Sequence, residues 1–173
     1  SSLRAVLAEE QFLEKHMYTL NYTLEQSILE ADGRYLDSQE LQPLEQYIQS
    51  YASRLDAYQQ LGEHSEKLVI LALRKLATMH PELVQQHGAR CKYDMSEVLR
   101  YIAIAILRDD ETFFKEQMMV WLDTILLAHK RKSQCGQAYR NLQEAVSTHL
   151  SATAVSLIRP YLDLITQSLQ SQA

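Results

Sequence analysis

Apolar residues recur at intervals of three and four almost without a break along this chain, and little interrupts them: 173 residues contain four glycines and three prolines. Spacing of that kind is the signature of helices that bury one face. A sheet protein of this length needs many more turn residues, so the pattern predicts an all-α fold. Leu3, Val6, Leu7, Phe12, Leu13, Met17 and Leu20 outline a first helix over 3–20, and Leu24, Ile28 and Leu29 a second over about 22–31. Gly33 supplies a turn, and Ser38 and Glu40 offer capping groups for a third helix. Its stripe is Leu41, Leu44, Ile48, Tyr51, Leu55 and Tyr58, with Pro43 tolerable only near its first turn and Gly62 as its stop. The next helix occupies 63–80, with Pro81 as a stop signal beyond it. A connection, PELVQQHGA, leads to a helix over 90–107. RDDET then suits the start of an apolar helix over 111–128. Helices over 133–149 and 152–170 complete a set of about eight, the last bent or interrupted by Pro160. No internal repeat or linker divides the chain, so one domain is expected, as a bundle or a globin-like packing of oblique helices.

Charge narrows the partners. Seventeen basic residues against 22 acidic ones leave a net −5, which argues against nucleic acid, whose phosphates need a basic surface. No apolar run reaches the roughly 20 residues that span a bilayer, so membrane insertion is not expected, and the early acids Glu9, Glu10 and Glu14 do not suit a signal peptide. The expected location is the cytoplasm, where Cys91 and Cys135 are reduced thiols; Cys135 is read as structural. None of the six histidines has metal-ligand spacing, so no metal is expected. His129 stands in a basic helix end rather than on an apolar face, which disfavours haem. Met118, Met119 and Trp121 read as core packing. No nucleophile–base order or glycine-rich phosphate loop stands out, and the chain is read as a protein other than an enzyme.

One stretch carries chemistry. Residues 91–101 read CKYDMSEVLRY, and the thiol of Cys91 and the carboxyl of Asp94, three residues apart, share a helical face. By itself that pairing is a small buried hydrophobe beside a surface acid. The longer pattern C-x-x-D-x-x-x-x-L-R-Y, however, resembles the chromophore-attachment helix of the phycobiliproteins, the light-harvesting subunits of phycobilisomes. ADGRYLDSQEL, SRLDAYQQL, MHPELV, AILRDDETFFKE and LSATAVSLIRPYLDLITQSL are similar to family segments in the same order, closest to allophycocyanin. The last includes the aromatic–x–Asp pattern, as Tyr161 and Asp163. The resemblance covers about residues 22–170.

It implies a globin-like all-α fold, with 1–36 as an N-terminal helical extension that pairs with another subunit and 37–173 as the globin core. It also implies a cofactor, a bilin of the phycocyanobilin type. Cys91 would hold it as a thioether, and Asp94 would accept hydrogen bonds from its pyrrole N–H groups. Asp32 and Arg100 stand where the family forms reciprocal salt bridges between subunits, which implies a homodimer or a phycobiliprotein-like partner, with Arg100 and the 22–36 segment at the interface.

The departures matter as much. Where the family commonly has an arginine for a bilin propionate, this chain has Tyr93, leaving Arg90 or Lys92 to substitute. Ser96, Glu97 and Val98 replace bulky aromatics, VQQHGAR is a shortened pocket loop, and 1–20 adds a helix. These departures favour a divergent binding or regulatory protein tied to bilin metabolism or phycobilisome assembly, similar to bilin-biosynthesis-associated globins. The alternatives are a covalently pigmented light-harvesting subunit at phycobilisomes on the thylakoid surface, and a ligand-free helical scaffold.

Overall fold

The computed structural model describes residues 21–121 and 132–171, which are helical with no strand among them. The expectations for residues 3–20, for His129 and for the side chain of Cys135 fall outside what is described. The chain divides into two compact units, one up to Ser50 and one from Tyr51.

Helix α1 spans Tyr22–Ala31. The Asn21 side chain starts it by accepting from the Leu24 amide at 3.0 Å. Asp32 ends it in the left-handed conformation, φ 45°, with its amide donating to the Leu29 carbonyl at 3.2 Å. Gly33 at φ 82° continues the turn. Helix α2, Ser38–Met79, opens on a reciprocal capping box one residue earlier than expected. Asp37 Oδ1, rather than the Ser38 hydroxyl, accepts from the amides of Gln39 and Glu40, and Glu40 Oε2 accepts from the Asp37 amide, all at 2.9 Å. The Arg34 guanidinium forks onto the same carboxylate at 2.8 and 2.6 Å. With Arg34 as the first cause and the Asp37 amide as the second, the Glu40 carboxyl is pulled down to about 2.

The stop expected at Gly62 and the connection expected over 81–89 are absent, whereas the stop expected before Pro81 is present, since α2 ends at Met79. Helix α2 runs through Gly62 for 42 residues. A mid-helix glycine costs only about 1 kcal/mol against alanine. Ala57, Leu61, Leu68, Ala72 and Leu76 form one buried stripe on both sides of it, and continuing the helix keeps that stripe in register. Pro81 begins helix α3, Pro81–Arg108, instead of merely ending α2, so the supposed connection PELVQQHGA is helical. At the first helical position proline's fixed φ fits and its missing N–H would be unpaired anyway. His80 alone separates the two helices. Pro160 lies inside helix α6, Ala152–Ser171, without ending it.

Between these lie α4, Glu111–Phe114, a π-helical turn at Lys115–Met119, and α5, Lys132–His149. Asp110 caps α4 by accepting from the Phe113 amide at 2.9 Å, as the RDDET composition suggests. In the unit from Tyr51 onward the core is built by α2, α3, α5 and α6. Leu61, Leu68, Leu76, Leu99, Ile102, Leu142 and Ile158 are all at most 1% exposed. Met118 is buried and Met119 and Trp121 pack against this core, as expected. Phe114 meets the edge of Tyr161 at 5.0 Å.

Candidate functional site

Helix α3 positions the residues that the sequence singles out. Over its second half Met95, Val98, Leu99, Ile102 and Ile106 are fully buried, and this stripe fixes the rotation of the whole helix. Extended toward the N-terminus, the stripe becomes half-open: Val84, His87, Gly88 and Cys91 are all partly exposed. Cys91 is in no disulfide, is partly exposed, and packs against the core from this open end. At about 100° per residue, Asp94 falls some 60° round the helix from Cys91, on the flank of the same stripe. Its carboxylate is 14% exposed.

Of the other candidates, Arg90 and Tyr93 join Asp94, and Lys92 does not. Arg90 Nε stands 3.0 Å from Asp94 Oδ1 and donates to Oδ2 at 3.1 Å. The same guanidinium lies over the exposed Tyr93 ring, 5.6 Å from its centroid. Lys92 is drawn toward α2 by Glu66, at 3.0 Å. Arg90, Tyr93 and Asp94 thus make one polar cluster beside the thiol.

Arg100 belongs to another face. It is half-exposed, pairs with Glu97 at 2.7 Å and lies over the Tyr101 ring at 4.6 Å. Hydrogen bonding between them lowers the Glu97 pKa and raises that of Arg100. Next to this pair a groove of about 310 Å³ runs between α2 and α3, bordered by Tyr58, Gly62, Ser65, Ser96 and Ala103. Asp32 is exposed at the end of α1, in the other compact unit.

Sequence reasoning missed Arg54, which is 1% exposed and donates to the carbonyls of Ile106 at 3.4 Å and of Leu107. Its signal was a lone cation three residues before Ala57 and seven before Leu61 on the buried stripe. A second pocket, about 170 Å³, is bordered by Arg54, Asp109, Glu111, Ser156, Pro160 and Tyr161. Burial, then the nearby acids Glu111, Asp109 and Asp110, push the Tyr161 hydroxyl upward and keep it protonated. Asp163 accepts from Gln143 at 2.6 Å. Also unforeseen were His87 and Gly88, one turn before Cys91, because 81–89 read as a loop. Among the described residues no cluster of three or more His, Cys, Asp or Glu is placed to hold a metal, and no helix is long and apolar enough to cross a membrane.

An all-helical core in which helix α3 carries a partly exposed thiol and a recessed carboxylate one turn apart defines a globin-like chain with a candidate ligand edge. Residues 26–169 match the family model described as phycobilisome protein, and the chain belongs to that family. It is 27% identical over 150 residues to allophycocyanin subunit alpha 1 of Nostoc sp., covering 82% of this chain and 93% of that one. It is likewise 27% identical over 161 residues to the allophycocyanin alpha-B chain of Cyanidium caldarium, covering 83% and 95%. With the C-phycocyanin beta chain of Galdieria sulphuraria it shares 26% identity over 98 residues, 52% of this chain and 57% of that one.

Proposed function

We propose that this protein is a pigment-bearing phycobilisome subunit that holds a linear tetrapyrrole on helix α3. The observation that carries the reading is the position of Cys91: a thiol outside any disulfide, partly exposed at the end of an otherwise sealed stripe and one turn from a recessed carboxylate. A thiol adds across an exocyclic C=C of such a ligand without any oxidant. The C–S bond forms at one carbon and the thiol hydrogen ends on the other, so the tether needs only an accessible sulfur. Asp94 supplies the acceptor for pyrrole N–H groups, and at 14% exposure it does so where a charge-assisted hydrogen bond is stronger than in water. The bilin contributes the visible absorption; the protein contributes the tether, the counter-charge and the rigid helix beneath them. No enzymatic step is assigned.

The relatives, which are allophycocyanin and phycocyanin chains, support this reading over the bilin-metabolism role that the sequence departures favoured. One observation keeps the second reading, a binding or regulatory globin, in view: Arg90 already occupies Asp94. Assembly is proposed through Arg100 and the α1 segment with Asp32, pairing with a second copy or a phycobilisome partner. Co-production with a bilin-synthesising pathway tests the pigment reading. The expected result is a coloured band that survives denaturing electrophoresis and is lost in Cys91→Ser. A pigment that washes off on denaturation would favour the second reading.

A further inference from the structure

Because Pro81 starts α3 early, His87 and Gly88 lie on the thiol's own helix, one turn before it, and both are partly exposed. At about 100° per residue His87 falls about 40° round from Cys91, on the flank that carries Asp94, and Gly88 about 60° round on the other flank. Helical side chains lean toward the N-terminus, so the thiol reaches back over the turn that holds both residues. Gly88 leaves that turn bare; a Cβ there would stand 3.2 Å from Val84 Cγ1. The attacking form of a cysteine is the thiolate, about a few per cent of an ordinary thiol at neutral pH, so attachment gains from a base within reach. Of the groups next to the thiol in sequence, Asp94 is held by Arg90 and Lys92 by Glu66, each at 3.0 Å, and the Tyr93 ring lies under Arg90. His87 is the proton carrier of the remaining flank.

We propose that His87 is the general base, and then the general acid, of thioether formation at Cys91, so that this chain attaches its own pigment with no helper protein. This rests on the pigment reading above. An imidazole takes up and returns a proton near neutral pH, which suits it to both halves of the step. It accepts the S–H proton as sulfur closes on one carbon of the exocyclic C=C. The π pair of that double bond then takes the proton from the same imidazole at the other carbon. One S–H and one C=C π bond are lost, one C–S and one C–H bond are gained, and neither oxidant nor reductant enters. Gly88 leaves the double bond room against the helix beside the sulfur. The imidazole ends as it began, and the reaction is a single turnover of the chain on itself.

The test mixes the purified full chain, carrying Cys135→Ser so that one thiol remains, with phycocyanobilin and no other protein, and follows the covalent adduct by mass. The chain is expected to form the adduct alone, and His87→Gln to slow it about 100-fold, the low end of what a positioned proton carrier contributes. Free imidazole should restore about tenfold of the rate to His87→Ala, which a merely structural role for the side chain would not allow. A second arm needs no pigment: alkylation of Cys91 by iodoacetamide should slow about tenfold in His87→Gln. Parent rates for His87→Gln in both arms, or no rescue by imidazole, would overturn the proposal and leave the pigment site intact. So would the lack of any adduct in the mixture from a chain that is coloured when made in a bilin-producing host. No adduct from either source would end the pigment reading, and this inference with it.

Discussion

Replacing Arg54 by alanine removes the most deeply buried cation described in the chain and tests how α3 is held. The guanidinium is 1% exposed and donates to the carbonyls of Ile106 and Leu107, at the end of the helix that carries the candidate site. A hydrogen bond to a charged group contributes about 1.5–3 kcal/mol, and the Leu107 carbonyl left without this donor costs about 1–3 kcal/mol, whereas the Ile106 carbonyl still accepts from the Asp109 amide at 3.1 Å. A cation at a helix C-terminus adds up to about 2 kcal/mol where partly buried. These effects overlap, and relief of the arginine's own desolvation opposes them, so a net loss of about 3 kcal/mol is expected. With a slope of about 2 kcal/mol per molar urea, the unfolding midpoint falls by about 1.5 M. Arg54→Met keeps the apolar stem and separates packing from polarity; about two-thirds of the loss should persist. Urea unfolding followed by circular dichroism measures both. If Arg54→Ala unfolds within about 0.5 kcal/mol of the parent protein, the carbonyl contacts do not anchor α3 and the reasoning fails.

Gly62→Ala should stabilise by about 0.5–1 kcal/mol, because the added Cβ meets nothing within 4 Å and the helix continues through the position; a fall in the thermal midpoint would mean that the helix breaks there. The depressed Glu40 carboxyl stabilises the α1–α2 turn above its unfolded pKa, near 4.5, and that contribution disappears as pH falls through about 2. A carboxyl titration by NMR should therefore place the Glu40 midpoint near 2, and Arg34→Gln should move it upward; a midpoint unmoved by Arg34→Gln would contradict the assignment. Arg100→Glu should weaken self-association or partner binding in analytical ultracentrifugation, since it reverses the charge beside the α2–α3 groove; an unchanged distribution would remove that face from the interface.

Helix content, and the placing of Cys91 and Asp94 on one flank of α3, were legible in the sequence because both rest on local spacing. A helical period put Cys91 and Asp94 on one face, but the longer resemblance was needed to single them out, whereas Asp110 needed only its place before an apolar run. What misled were the punctuating residues. Gly62 read as a stop and Pro160 as a bend or interruption, but neither ends its helix: a mid-helix glycine costs about 1 kcal/mol and a proline about 3 kcal/mol, and a buried stripe that continues on both sides outweighs either. Pro81 does stand as a stop for α2, which ends at Met79, but its first-turn preference also makes it a start, and missing that hid His87 and Gly88 in a supposed loop. Arg54 and the Arg90–Asp94 pair were illegible for another reason. Spacing places two side chains within reach but does not say which of several partners a cation will choose. Lys92 and Arg90 stood as equal substitutes on paper, and only the position of Glu66 on α2 separates them.

The account stands on Cys91 as a pigment tether, and zinc-enhanced fluorescence of the denatured protein from a bilin-producing host tests that most directly. A fluorescent band at the mass of the chain, absent from Cys91→Ser and retained in Cys135→Ser, is the expected result. A colourless band from the unmodified chain, when an allophycocyanin subunit produced in the same cells is coloured, would contradict it.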